Sequence, residues 1–150
     1  MSGGQQEMQA LSEQLQQLQE TIEVLQGTIE GIRAERSAVQ EAIDAIETLE
    51  TGSTIQVPLG GGAYVRATVE DIDDVIVELG DQYGAAFDRT DATDALSRKQ
   101  ERLDERIEEV TDRIAELETN RTQLEDRARG LQQQALQQQM RSMSGQGDDE

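Results

Sequence analysis

The sequence predicts an α+β protein, a long antiparallel two-helix coiled coil with two β-hairpins at its centre. Two runs of heptads predict the helices, and a switch to a period of two between them predicts the hairpins. The composition agrees: the apolar fraction is 35%, and the only aromatics are Tyr64, Tyr83 and Phe87. A helix pair that buries one narrow stripe per helix needs far less apolar matter than a globular core. The reading is one domain, 1–150. It comprises an N-terminal coiled-coil helix over 5–49, two hairpins over 53–88, a C-terminal coiled-coil helix over 92–143 and a disordered acidic tail over 144–150.

The first helix is the clearest element. With Met8 at a, the a series reads Met8, Leu15, Ile22, Ile29, Arg36 and Ile43. The d series reads Leu11, Leu18, Leu25, Ile32, Val39 and Ile46. Eleven of these twelve positions are apolar, and a 3.5-residue period held this long is the seam of a coiled coil.

Glu50-Thr51-Gly52-Ser53 breaks the helical period. Ile55, Val57 and Leu59 then share one strand face, followed by a turn over Pro58-Leu59-Gly60-Gly61-Gly62. Ala63, Val65, Ala67 and Val69 alternate with Tyr64, Arg66 and Thr68 in the second strand. Val75-Ile76-Val77-Glu78-Leu79 reads as a third strand, and Gly80-Asp81-Gln82 turns it into Tyr83-Gly84-Ala85-Ala86-Phe87. A sheet this small, with open edges and a half-covered apolar face, invites partner strands. The segment is therefore expected to assemble subunits through Ile55, Val57, Leu59, Val65, Val69, Val75, Val77 and Leu79.

The second helix carries d residues Leu96, Leu103, Val110, Leu117, Leu124 and Leu131, and a residues Gln100, Ile107, Ile114, Arg121, Ala128 and Ala135. Asp91 or Thr93 is the expected cap. With Ile46 level with Leu96, Arg36 comes within reach of Glu105 or Glu109, and Arg121 of Glu20 or Glu23. The two arginines either fix register and partner choice or snorkel to solvent.

Beyond Ala135 the apolar residues leave the seam. Leu136, Met140 and Met143 are spaced i, i+4 and i+7, a separate helical stripe set among Gln132, Gln133, Gln134, Gln137, Gln138 and Gln139. Met8, Leu11 and Leu15 open the first helix in a similar glutamine-rich stretch. In an antiparallel pair these six residues meet at one end. Methionine adapts to varied apolar partners, so Met8, Leu11, Leu15, Leu136, Met140 and Met143 are the candidate binding residues; the other reading is a frayed end.

Other chemistry finds little support. Cysteine and histidine are absent, which removes disulfides, thiolates, an imidazole base and the usual zinc donors. Gly60-Gly61-Gly62 is not followed by the lysine and hydroxyl residue of a phosphate-binding loop. Glu70-Asp71-Ile72-Asp73-Asp74 lacks the spacing of a calcium-binding EF-hand. No enzyme, cofactor or metal is expected. The net charge of −19 repels phosphate backbones and anionic lipid, so neither nucleic acid nor membrane is an expected partner. No signal peptide or spanning segment is evident, and a cytoplasmic location is expected. An acid-rich surface with Lys99 as its only lysine suits a halophile, whose salt screens self-repulsion.

The layout resembles the α subunits of the prefoldin family. The residues that carry the resemblance are Val57-Pro58-Leu59-Gly60, the strand with Tyr64-Val65, Val75-Ile76-Val77-Glu78-Leu79-Gly80 and the closing strand from Tyr83. It covers about residues 5 to 143, and two hairpins match the α rather than the β class. The resemblance implies a hexamer of two α and four β subunits, joined through their hairpins. It also implies an ATP-independent archaeal holdase that binds unfolded proteins at the coiled-coil tips and delivers them to a group II chaperonin. The alternative is a structural coiled-coil adaptor or spacer for one folded partner.

Overall fold

A computed structural model describes residues 3–147. Helix α1 spans Gly3–Thr48. Strands β1 (Thr54–Gly60), β2 (Ala63–Thr68), β3 (Val75–Gly80) and β4 (Tyr83–Phe87) follow, and α2 spans Arg89–Gly147. Two long helices and two small antiparallel hairpins are the expected fold. Residues 144–147, which the sequence assigns to the tail, are helical. Gly145 and Gly147 weaken a helix without forbidding it, and no proline stops it. The rest of that tail, 148–150, lies outside the described residues.

Contacts group the chain into two units, 1–30 with 108–150 and 31–107. In the first, the terminal unit, Leu11, Ile22 and Ile29 of α1 and Ile114 and Leu117 of α2 are buried. Met8, Leu15, Leu18 and Leu25 are half-buried, as are Val110, Leu124 and Leu131. Arg127 Nη2 meets Glu7 Oε1 at 3.1 Å, and Arg121 Nη1 donates to Gln19 Oε1 at 2.7 Å. Rising numbers on α1 meet falling numbers on α2, so the helices run antiparallel.

In the second, the hairpin unit, Val39 and Ile43 pack with Ala92, Ala95, Leu96 and Val77, flanked by Ala42, Ile46, Val75, Phe87 and Leu103. Gln100 Nε2 donates to Gln40 Oε1 at 2.9 Å, Lys99 Nζ lies 3.6 Å from Glu35 Oε1 and Arg36 Nε lies 2.6 Å from Asp104 Oδ1. The order is again antiparallel, and Ile46 and Leu96 share one cluster.

The arginine partners differ from those expected. Arg36 pairs with Asp104, not Glu105 or Glu109. Arg121 bonds to Gln19, not Glu20 or Glu23, and also approaches Glu125 of its own helix at 3.8 Å. The reason is heptad phase. Asp104 and Gln19 each follow a d residue and so occupy e, which flanks the seam, whereas the expected glutamates sit at outward positions. Arg36 is exposed despite its a position, and a solvated pair of this kind is worth about 0–1 kcal/mol. It snorkels and pairs at once.

The start of α2 also needs correction. The Asp91 N–H donates to Asp88 Oδ1 at 2.8 Å, which makes Asp88 the cap in place of Asp91 or Thr93. The Thr93 hydroxyl instead donates to the Thr90 carbonyl. The Arg89 N–H donates to Asp73 Oδ1 at 3.3 Å, and its guanidinium donates to the Leu49 carbonyl. The last turn of α1 contains no base of its own. Arg89 therefore supplies, from α2, the positive donor that a helix C-terminus favours.

Both hairpins use one device. In the first, Val57 faces Val65 and Ile55 faces Ala67; in the second, Val77 faces Ala85 and Val75 faces Phe87. Each register shifts by one residue just before the turn, between Pro58 and Gly60 and between Glu78 and Gly80. The extra residue is a leucine, Leu59 or Leu79, and the glycine after it has a positive φ, 95° at Gly60 and 122° at Gly80. Two left-handed residues then close each turn, Gly61-Gly62 or Asp81-Gln82, as hairpin twist requires. β1 thus runs through Gly60, further than the expected turn allows. The small residues of β4 also have a reason, since a Cβ on Gly84 would meet Ile76 Cγ2 at 3.0 Å.

Candidate interaction surfaces

The two faces of β3 have different environments. Val75, Val77 and Phe87 point to the helices, and Val77 is 7% exposed within the core cluster. Ile76, on the other face, is 74% exposed. Of the residues expected to assemble subunits, Val75 and Val77 therefore serve the chain's own core. Ile55 and Val69 are half-buried, while Val57, Leu59, Val65 and Leu79 stand exposed.

Tyr64, Tyr83 and Ile76, which are not among the residues expected to assemble subunits, are also exposed. A signal for Ile76 was available. Val75-Ile76-Val77 is a continuous apolar run, and a strand that is apolar on both faces is one covered on both faces. The helices cover one of them. Seven large apolar side chains thus stand exposed on two small hairpins.

The terminal unit carries the second surface. Leu136, Met140 and Met143 are 61%, 66% and 74% exposed. They stand at b, f and b of the α2 heptad, while the seam positions d and a that follow Ala135 hold Gln138 and Ser142. The apolar side of the helix has turned outward here. The α1 candidates are placed differently. Leu11 is 4% exposed inside the seam and is not available to a partner; Leu15 is half-buried. Met8 lines an opening of about 640 Å³ between the helix ends, with Gln5, Leu131, Gln134, Ala135 and Gln138. Glutamines line most of the exposed stripe, and only Arg129 brings a charge to the recess beside Leu136 and Met140.

Among the described residues, no group of three or more acidic side chains is placed to hold a metal ion. No helix among them is long and apolar enough to cross a membrane. The exposed large apolar side chains of the described residues thus gather on the hairpins and on α2 beyond Ala135, with Val24 of α1 apart from both.

A family model described as "Prefoldin subunit" matches residues 11–134. The chain belongs to the prefoldin family. Among its relatives, a prefoldin subunit alpha of Halorubrum lacusprofundi is 64% identical over 107 residues, covering 71% of this chain and 70% of its own. That of Haloquadratum walsbyi is 57% identical over 105 residues, covering 69% of this chain and 68% of its own. These prefoldin subunits come from halophilic archaea, in accord with the acid-rich, lysine-poor composition. A cryo-EM structure of filamentous prefoldin from Methanocaldococcus jannaschii has a TM-score of 0.52 at 26% identity, covering 79% of this chain and 95% of that one. The prefoldin family is a chaperone family whose subunits form oligomers with other prefoldin subunits.

Proposed function

We propose that this chain is the α subunit of an ATP-independent cytoplasmic holdase, which binds non-native proteins through its terminal unit and passes them to a group II chaperonin. Two copies assemble with four β-class subunits through the exposed hairpin residues Val57, Leu59, Tyr64, Val65, Ile76, Leu79 and Tyr83. The stripe of Leu136, Met140 and Met143, with Met8 beside the opening between the helix ends, holds the client.

The observation that carries this reading is the exposure of three large apolar side chains on a glutamine background, where the seam has ended. A spacer has no use for such a stripe. The surrounding glutamines leave the stripe nearly free of charge, so a non-native chain of either sign can approach it. Each contact is weak, and several subunits acting on one client raise avidity without a strong single site.

The triple variant Leu136→Gln, Met140→Gln, Met143→Gln tests it in the assembled complex. The residues are exposed, so helicity by circular dichroism should be unchanged. The amount of complex needed to halve the aggregation of a chemically unfolded protein should rise about tenfold, the effect of losing roughly 1.4 kcal/mol of binding. Unchanged suppression with intact helicity would remove the stripe from function and favour the spacer.

A further inference from the structure

The chain has no cysteine and four methionines, so thioethers are its only readily oxidised sulfur. Met140 and Met143 are 66% and 74% exposed and supply two of the three residues of the stripe. Met8 is half-buried between the helix ends. Among the described methionines, the most accessible sulfurs therefore coincide with the residues read above as the client contact. Oxidation of a methionine turns a flexible apolar side chain into a polar, chiral one, and the change is reversible.

We propose that Met140 and Met143 form a reversible oxidation site that lowers client binding under peroxide stress, an inference that rests on the client-binding reading above. Hydrogen peroxide transfers one oxygen atom to each thioether sulfur. The O–O bond breaks, an S–O bond forms, and water leaves, with the sulfur oxidised by two electrons. A thiol-dependent methionine sulfoxide reductase reverses the step, removing the oxygen as water while two thiols become a disulfide. Both methionines are solvated at b and f positions, so the sulfoxides fit without disturbing the seam. Only Leu136 then remains apolar in the stripe.

The test uses the full chain assembled with its β-class subunits, in the salt that keeps the complex intact. The complex is treated with graded hydrogen peroxide, the excess is destroyed with catalase, and oxidised residues are located by peptide mass spectrometry. Met140 and Met143 are expected to oxidise about tenfold faster than Met8, in line with their exposure. The complex needed to halve aggregation of an unfolded protein should rise about fivefold, less than in the triple variant because Leu136 stays apolar, with helicity retained, and the reductase should restore it. In a Met140→Leu, Met143→Leu complex, capture after peroxide should equal that protein's own capture before it. Equal oxidation of Met8 would overturn the proposal and leave the client reading standing; oxidised Met140 and Met143 with capture undiminished would overturn the proposal, and the triple glutamine variant then decides whether the client reading stands. An untreated wild-type complex that captures nothing would overturn both.

Discussion

Val77→Asp is expected to lower the stability of the chain by about 4 kcal/mol, measured by thermal or denaturant unfolding followed by circular dichroism. The valine is buried against Val39, Ile43, Ala92, Ala95 and Leu96. Losing its burial costs about 1.5–2 kcal/mol. The larger part comes from placing a carboxylate among buried apolar side chains, where its charged form is strongly disfavoured. Ile76→Asp is the control one residue away. Ile76 faces solvent, so its replacement should change stability by less than about 0.5 kcal/mol while abolishing association with partner subunits. Two adjacent residues with opposite effects would separate the chain's own core from its contact surface.

The second large effect is that of salt. Asp104, Glu108, Asp112 and Glu116 form an i, i+4 line on α2 with no base in it, and Glu101, Glu105 and Glu109 form another. Each like-charge neighbour pair costs about 0.2–0.5 kcal/mol at low ionic strength. The five pairs together cost roughly 1–2.5 kcal/mol, and the net charge of −19 adds longer-range repulsion. Arg36 offsets part of this at Asp104 and Arg113 at Glu116, but each solvated pair contributes about 0–1 kcal/mol and is itself screened. Repulsion therefore outweighs attraction. Raising NaCl from about 0.1 M to 1 M shortens the Debye length from about 10 Å to 3 Å. The melting temperature is expected to rise by about 10 °C, which corresponds to about 3 kcal/mol for a chain of this size. A melting temperature that falls with salt would show the ion pairs to dominate.

The helices were the most legible part of the sequence, because a 3.5-residue period leaves one geometry for eleven apolar side chains. From Met8 to Ile46 every apolar a and d residue of α1 is buried or half-buried, and only Arg36 among the twelve positions is exposed. The hairpins were legible from alternation and turn residues, although the first turn is confined to Gly61-Gly62 and so is shorter than expected. Alternation divides a strand into two faces but does not say which face meets the chain's own helices, so it does not separate Val75 and Val77, which pack against them, from the exposed Ile76. Ion-pair partners were missed by helical phase, since Glu105 and Asp104 differ by one residue and by about 100° around the helix. Asp88 was missed as the cap because it directly follows the last strand residue, Phe87. At the terminal unit the i, i+4, i+7 spacing located the exposed stripe. Leu11 was included by proximity in sequence, although its d position already placed it in the seam.

Native mass spectrometry of the full chain, co-expressed with a β-class prefoldin subunit from a halophilic archaeon, tests the central claim most directly. One dominant complex is expected, two copies of this chain with four of its partner, and it is lost when Ile76→Asp is introduced. A chain that stays free of the β-class subunit, in salt at which both are folded, would contradict it.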